Sequence, residues 1–285
     1  DMHKAGRWTW DDMLSMAKKL TRDTDGDGQP DVWGIAHDQS FGWKSSGYYE
    51  IWGLQAGEYF VSPDGQYRGT QPAFVETVQW WADLYNVHGV MQTPRPSHST
   101  LPQRKSAMTI YGTHVHTGAG WQEFRSWDMA PLPNLPERRP YNYMYEHGGW
   151  VINKDSKHID ATMKFVEFLL SPEAVQIMSR RIGFFPVRMS VARDFAAYQR
   201  ERYPWAENVA YTIISTVEGS MLPAKPGPWY TPHWNEIREY VHSAGRSVQA
   251  GEVPAAVALE QVAGPIQRLL DAGRDQMIPG SLWSW

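Results

Sequence analysis

The 285 residues contain no cysteine. That absence removes disulfides, thiol nucleophiles and thiolate metal sites together, and it is compatible with a location outside the cytoplasm. Long apolar runs are also missing. Nothing approaches the roughly 18 consecutive apolar residues that cross a bilayer, and no basic start with an apolar core marks a leader. Charge of one sign is not in excess: 27 Lys and Arg against 31 Asp and Glu leave a formal charge of −4. Nucleic acid and anionic membrane are therefore not expected as partners. Catalytic signatures are absent too, with no GxSxG, HExxH, P-loop or GxGxxG. The chain opens on Asp1 rather than Met, from which a removed upstream leader or domain is expected.

What is abundant is aromatic surface, with 15 Trp and 14 Tyr. Such side chains are large, stiff and amphipathic, which suits them both to cores and to ligand contacts. The larger share is expected in cores.

Thr9 stands at a helix N-cap with Asp12 three residues on, and Trp10, Met13, Leu14, Ala17 and Leu20 follow at helical spacing. VWGIA, Val32 to Ala36, reads as a short strand. SPDG, Ser62 to Gly65, reads as a turn. Pro72 opens a helix whose apolar face is Phe74, Val75, Val78, Trp81, Ala82 and Tyr85, ending by Gly89. AMTIYG (107–112), DMAPLP (128–133) and GGWVINKDS (148–156) read as strands, the last followed by a helix from about His158 to Leu170. Ser171 and Pro172 restart a second helix, and the C-terminal third is helical over about 234–249 and 253–270. Strands separated by helices, with no repeats, predict an α/β architecture.

Between the first helix and first strand lies DTDGDGQPD, Asp23 to Asp31. As a calcium loop it places Asp23, Asp25 and Asp27 at positions 1, 3 and 5, the Gln29 carbonyl at 7 and Asp31 at 9. Position 12 is Gly34, so the bidentate glutamate is missing, and the loop joins helix to strand rather than helix to helix. Four carboxylates within nine residues repel one another unless a cation or solvent relieves them. The other reading is a solvated turn built from Asx-turns and left-handed glycines.

Several segments in order, KAGRWTWDDMLSMAKKLT, DTDGDGQPDVWGI, AFVETVQWWADLYNVHGV, KSAMTIYG, GGWVINKDSKHIDATMKFVEFLLSPEAVQ, GFFPVRMSV and WNEIREYVHSAGRSVQAGEVPAAVALEQV, resemble the extracellular solute-binding proteins of ABC importers. The resemblance is to their sugar-binding, maltose-binding-protein-like group. It implies a periplasmic-binding-protein-like two-lobe α/β fold of type II, with the first lobe incomplete at the front. Residues 1–145 then form the second lobe's core, 146–205 a return into the first lobe, and 206–285 a helical segment packing back on the second. It further implies an extracytoplasmic, non-catalytic, monomeric receptor for a mono- or oligosaccharide that docks on ABC permease subunits. No cofactor is required beyond an optional structural calcium, for which a sugar-binding relative's loop borrows a distant glutamate.

A sugar site needs flat apolar faces for pyranose C–H surfaces and fixed polar groups for hydroxyls. The clusters that supply them are FGWKSSGYYEIW, with Trp43, Tyr48, Tyr49 and Trp52; GTHVHT, with His114; HGGWVI, with Trp150; and GPWYTPHW, with Trp229, Tyr230 and Trp234. Arg188, Lys44 and Glu50 are candidate hydroxyl partners. Two alternatives stay open. A glycoside hydrolase needs two carboxylates about 5 to 10 Å apart, and Glu50, Glu58, Glu123, Asp128, Glu146 and Glu218 are scattered candidates. A ferric or other metal-binding protein would use Tyr, His and carboxylates, for which YNYMYEH (141–147) and the pair His114 and His116 are available.

Overall fold

The computed structural model describes residues 2–37, 52–53, 55–58, 60–62, 64–91, 100–110, 120–121, 123–136, 150–183, 185–220 and 232–276. The chain divides into two compact units. Unit 1 comprises Asp1–Tyr111, Pro133–Tyr141 and Met221–Trp285; unit 2 comprises Gly112–Leu132 and Asn142–Ser220.

Unit 1 begins with α1 (Trp10–Leu20), held at its start by a full capping box. The Thr9 hydroxyl accepts from the Asp12 amide at 3.2 Å, and the Asp12 carboxylate accepts from the Thr9 amide at 3.0 Å. Two amides left orphaned at the helix start are thereby satisfied. Trp10, Met13 and Ala17 face the core. The acidic loop then leads into β1 (Trp33–His37), which pairs in parallel with β2 (Ser106–Ile110) in the register Trp33 to Ser106, Ile35 to Met108 and His37 to Ile110. On the other side of β1 the Ile35 amide donates to Val90 O at 3.1 Å.

Between the strands runs α2 (Pro72–Asn86), opened by a proline at its first turn, where a missing N–H costs nothing. It buries Phe74, Val78, Trp81 and Ala82 as the periodicity predicts. Two C-terminal helices, α7 (Trp234–Gln249) and α8 (Ala255–Ala272), pack on each other and on α2. Gln79 of α2 accepts from the Ala255 amide at the start of α8, and Asn86 donates to Val248 O at the end of α7. Their core includes Ile237, Val241, Leu259, Ile266 and Leu270.

Unit 2 is helical among its described residues: α3 (Ile159–Leu169), α4 (Pro172–Ile182), α5 (Met189–Arg202) and α6 (Val209–Ser220). Ser171 caps α4 by accepting from the Ala174 amide, and Gly183 ends it in a left-handed conformation with φ 83°. α5 and α6 pack together over Val191, Phe195, Ile213 and Val217.

Two expectations change. The segment 128–133 is not a strand, and 150–156 is not one either. Both read as strands on composition, but a strand exists only where a neighbour accepts its hydrogen bonds. Residues 128–129 are tied instead to α6: Asp128 accepts from the Asn208 amide and side-chain nitrogen, and Thr212 donates to Met129 O at 3.0 Å. These ties lie within one compact unit, which holds both residues 112–132 and α6. Residues 112–132 go with the unit holding α6, and 206–220 go with α5.

Candidate functional site

Most aromatics that can be placed are consumed by packing. In unit 1, Trp10 lies 5.7 Å from Trp52, 5.3 Å from Trp80 and 6.3 Å from Trp81 between ring centroids, in tilted and edge-to-face arrangements. Ring quadrupoles favour these geometries over face-to-face stacking. Gln55 organises this cluster and is 4% exposed. Its Oε1 accepts from Trp10 Nε1 at 3.2 Å and from the Leu135 amide at 2.9 Å, while its Nε2 donates to Pro133 O at 2.9 Å. Trp52, at the edge of the first aromatic cluster in the sequence, is therefore core. In unit 2, Trp121, Phe124, Trp127, Tyr203 and Trp205 form a second cluster of edge-to-face and tilted rings, with the Arg125 guanidinium 5.3 Å from the Trp205 ring.

Of the predicted ligand-contacting residues, Trp43, Tyr48, Tyr49, His114, Trp229 and Tyr230 lie outside the described residues, as do Lys44, Glu50, His116 and the segment 141–147. Trp150, in unit 2, is 53% exposed, and the other described tryptophans are buried or half-buried. Trp234 is half-buried at the first position of α7 in unit 1. Arg188, a proposed hydroxyl partner, donates through Nε to Leu170 O and so ties the end of α3 to the start of α5. Asp128, a proposed catalytic carboxylate, accepts from the amides of Met129 and Asn208 and from Asn208 Nδ2. Its place is that of a clip on α6. Neither Gln55 nor the Asp128 to Asn208 pairing carries a sequence signal, since their partners lie 45 to 80 residues away.

The acidic loop is the one predicted constellation whose side chains the described structure brings together. Carboxylate oxygens of Asp23, Asp25 and Asp27 all lie within 4.8 Å of one another, and the three residues are exposed. The loop is built on Asx contacts. Asp23 accepts from the amides of Gly26 at 2.7 Å and Gly28 at 2.8 Å, Asp25 from Asp27, and Asp27 from Gln29 at 2.7 Å. Gly26 and Gly28 take φ of 83° and 87°, a backbone region that favours glycine. The amides of Gly28 and then Gly26 hold Asp23 below the usual carboxylate range. Asp31 stands outside the converging group. Its Oδ2 accepts from the Thr24 hydroxyl at 2.6 Å and amide at 2.7 Å, and these bonds, hydroxyl first, lower its pKa. With the bridge between Arg22 and Val32 it closes the neck of the loop.

Position 12 of the calcium-loop reading is occupied by packing. Gly34 sits so close to α1 that a Cβ there would strike the backbone of Ala17, and its amide donates to the Thr21 hydroxyl at 3.0 Å. A glutamate has no room at that site. The loop can thus offer a cation three exposed carboxylates and solvent.

Comparison with known proteins places the chain. Residues 1–176 match the family model described as bacterial extracellular solute-binding protein. Comparison with curated proteins finds no match. Among solved structures, the ABC substrate-binding protein of Listeria monocytogenes in complex with cycloalternan is 19% identical with a TM-score of 0.69, over 95% of this chain and 67% of that one. The maltose/maltodextrin-binding domain MalE of Bdellovibrio bacteriovorus bound to maltotriose is 18% identical with a TM-score of 0.67, over 92% of this chain and 66% of that one. A solute-binding protein of Thermotoga lettingae bound with α-D-tagatose is 18% identical with a TM-score of 0.67, over 94% and 68%. The likeness establishes an α/β, periplasmic-binding-protein-like fold of the two-lobe class. The chain spans about two thirds of the length of these structures.

Proposed function

Because the chain belongs to the bacterial extracellular solute-binding protein family, we propose that it is the sugar-binding part of an extracytoplasmic receptor that delivers a mono- or oligosaccharide to the permease of an ABC importer. The carrying observation is how the described tryptophans are spent. Two edge-to-face clusters bury Trp10, Trp52, Trp81, Trp121 and Trp127, while Trp150 keeps 53% of its surface open. An indole face left uncovered is what the C–H face of a pyranose stacks against. Structures of the same fold were solved with maltotriose, cycloalternan and tagatose, which supports this ligand class.

In this reading the protein does no chemistry. A sugar shifts the receptor toward its closed form only by the difference between its affinities for the closed and open forms. Trp150 and Trp234 supply stacking faces, together with Trp43, Tyr48, Tyr49, Trp229 and Tyr230, and His114 supplies a hydroxyl contact. The acidic loop serves as a clip between α1 and β1. Calcium on Asp23, Asp25 and Asp27 strengthens that clip without touching the sugar. The receptor acts as a monomer.

The test is a thermal-shift panel of mono- and oligosaccharides, run beside a hydrolase assay on the same sugars. A rise in melting temperature with one sugar class and no released product supports the reading. Release of product without any rise overturns it.

A further inference from the structure

The formal charge of −4 averages over a local excess of the opposite sign in unit 2. Between residues 180 and 202 stand six arginines, Arg180, Arg181, Arg188, Arg193, Arg200 and Arg202, with no lysine and only Asp194 and Glu201 against them. No Asp or Glu lies three or four positions from any of the six, the spacing at which a helix neutralises its own cations. All six are exposed, and none forms an ion pair among the described residues.

Rings hold part of this charge in place. The Arg180 guanidinium lies 4.9 Å from the Tyr198 ring, and Arg202 lies 5.4 Å from the Tyr203 ring while its Nη1 donates to the Tyr198 hydroxyl at 3.2 Å. Tyr203 meets Trp205 edge-on at 5.6 Å between centroids, and the exposed Arg125 stacks on Trp205 in turn. Arg125, Trp205, Tyr203, Arg202, Tyr198 and Arg180 thus form one continuous ladder, which joins the ends of α4 and α5 to the segment 123–127. A guanidinium laid over a ring gives up only its flat face, and its N–H edge keeps the fork that pairs with phosphate oxygens. Stacking also fixes the long side chain beforehand, so less entropy is lost on binding.

The rings themselves offer little. Tyr203 is 4% exposed, and Tyr198 and Trp205 are half-buried, whereas binding to nucleic acid uses open ring faces on which bases stack. What the ladder presents is charge, spread over three chain segments rather than converging on one point. That arrangement matches an array of phosphates better than a single anion.

We propose that the arginine ladder of unit 2 is a docking surface for a bilayer bearing anionic phospholipid, whose headgroup phosphates accept from the guanidinium edges of Arg125, Arg180 and Arg202. The other arginines of 180–202 add to the positive potential that draws this unit to such a surface. The contact would orient the protein on a membrane, and it does not depend on which solute the protein binds.

The experiment is co-sedimentation with vesicles of phosphatidylglycerol and phosphatidylcholine in equal parts, beside vesicles of phosphatidylcholine alone, at low and high salt. Binding is expected to the anionic vesicles only, and to be lost at high salt, which screens exposed charge. Each arginine near an anionic surface contributes about fivefold, so Arg125→Gln, Arg180→Gln and Arg202→Gln combined should weaken binding at least tenfold. Arg→Lys at the same three positions keeps the charge and should restore most of it. Lys18→Gln, Lys19→Gln and Lys105→Gln combined, an equal charge loss at exposed positions of unit 1, should leave binding within about twofold. Equal binding to both vesicle types, binding to neither, equal losses in the ladder and unit 1 variants, or a lysine variant as weak as the glutamine one would each overturn the proposal. So would capture of poly-glutamate without vesicle binding, which would make the partner an acidic protein segment. Sugar titration reports separately on the receptor reading, so the two can fail independently.

Discussion

Gly34 on β1 lies directly against the backbone of Ala17 on α1, with no space for a Cβ between them. This contact sets how closely the first helix and first strand of unit 1 approach, and it closes the position where a calcium loop would carry glutamate. Gly34→Ala should force α1 and β1 apart. A loss of more than about 2 kcal/mol in urea denaturation is expected, as for other core overpacking. Gly34→Glu should be worse and should not create a calcium site, which calorimetry with calcium would check.

Gln55 satisfies Trp10 Nε1, the Leu135 amide and Pro133 O from one buried side chain. Gln55→Leu keeps the volume roughly but strands all three groups, and each buried unsatisfied group costs about 1–3 kcal/mol. A destabilisation of several kcal/mol is expected, accompanied by a shift in tryptophan emission, because Trp10 sits in the cluster with Trp52 and Trp80. Unchanged emission and stability would remove Gln55 as the organiser.

His242, on the buried side of α7, is 1% exposed, and neither ring nitrogen has a hydrogen-bond partner. Burial lowers its pKa to about 4; Glu239 pushes it back up, while Arg238 and Arg246 push it down. The unfolded value is near 6.5. The folded state thus favours the neutral ring, its stabilising contribution is complete above pH 6.5, and it falls away as pH drops from 6.5 toward 4. At about 1.4 kcal/mol per pKa unit the full effect is roughly 3 kcal/mol. His242→Phe should flatten the stability profile between pH 6.5 and 4. An unaltered slope would contradict this placement.

Thr9 and Asp12 test the local layer alone. Thr9→Ala should cost about 1 kcal/mol of stability and Thr9→Ser much less, because the serine hydroxyl still accepts from the Asp12 amide. Equal effects from both substitutions would show that the methyl group, rather than the cap, matters.

What the sequence discloses follows how local the causes are. The Thr9 cap, the α1 stripe, the proline start of α2 and the Ser171 cap rest on contacts within four residues, and each is found where the pattern puts it. Of the strands expected at 128–133 and 148–156, neither is found among the described residues 128–133 and 150–156, because strand formation needs a partner that composition does not name. Among aromatics the pattern separates no core ring from a ligand-facing ring: Trp52 and Trp150 sit in similar glycine-containing contexts, yet one is 8% and the other 53% exposed. The Asp128 to Asn208 clip spans 80 residues, and nothing near either residue announces it.

The acidic loop offers a further check. Calcium added to chelator-treated protein should raise the melting temperature, and Asp23→Asn together with Asp25→Asn should abolish the rise while leaving sugar binding intact. Absence of both heat and stabilisation would leave the loop as a turn held by its own Asx contacts.

Sugar capture by this protein is read out by calorimetric titration. The protein is titrated with maltotriose and with a panel of monosaccharides and polyols, beside its Trp150→Ala variant. Saturable heat is expected for one class of sugar, with at least tenfold weaker binding in the variant and no chemical change in the recovered ligand. Saturable binding to none of them, or recovery of a cleaved sugar, would contradict it.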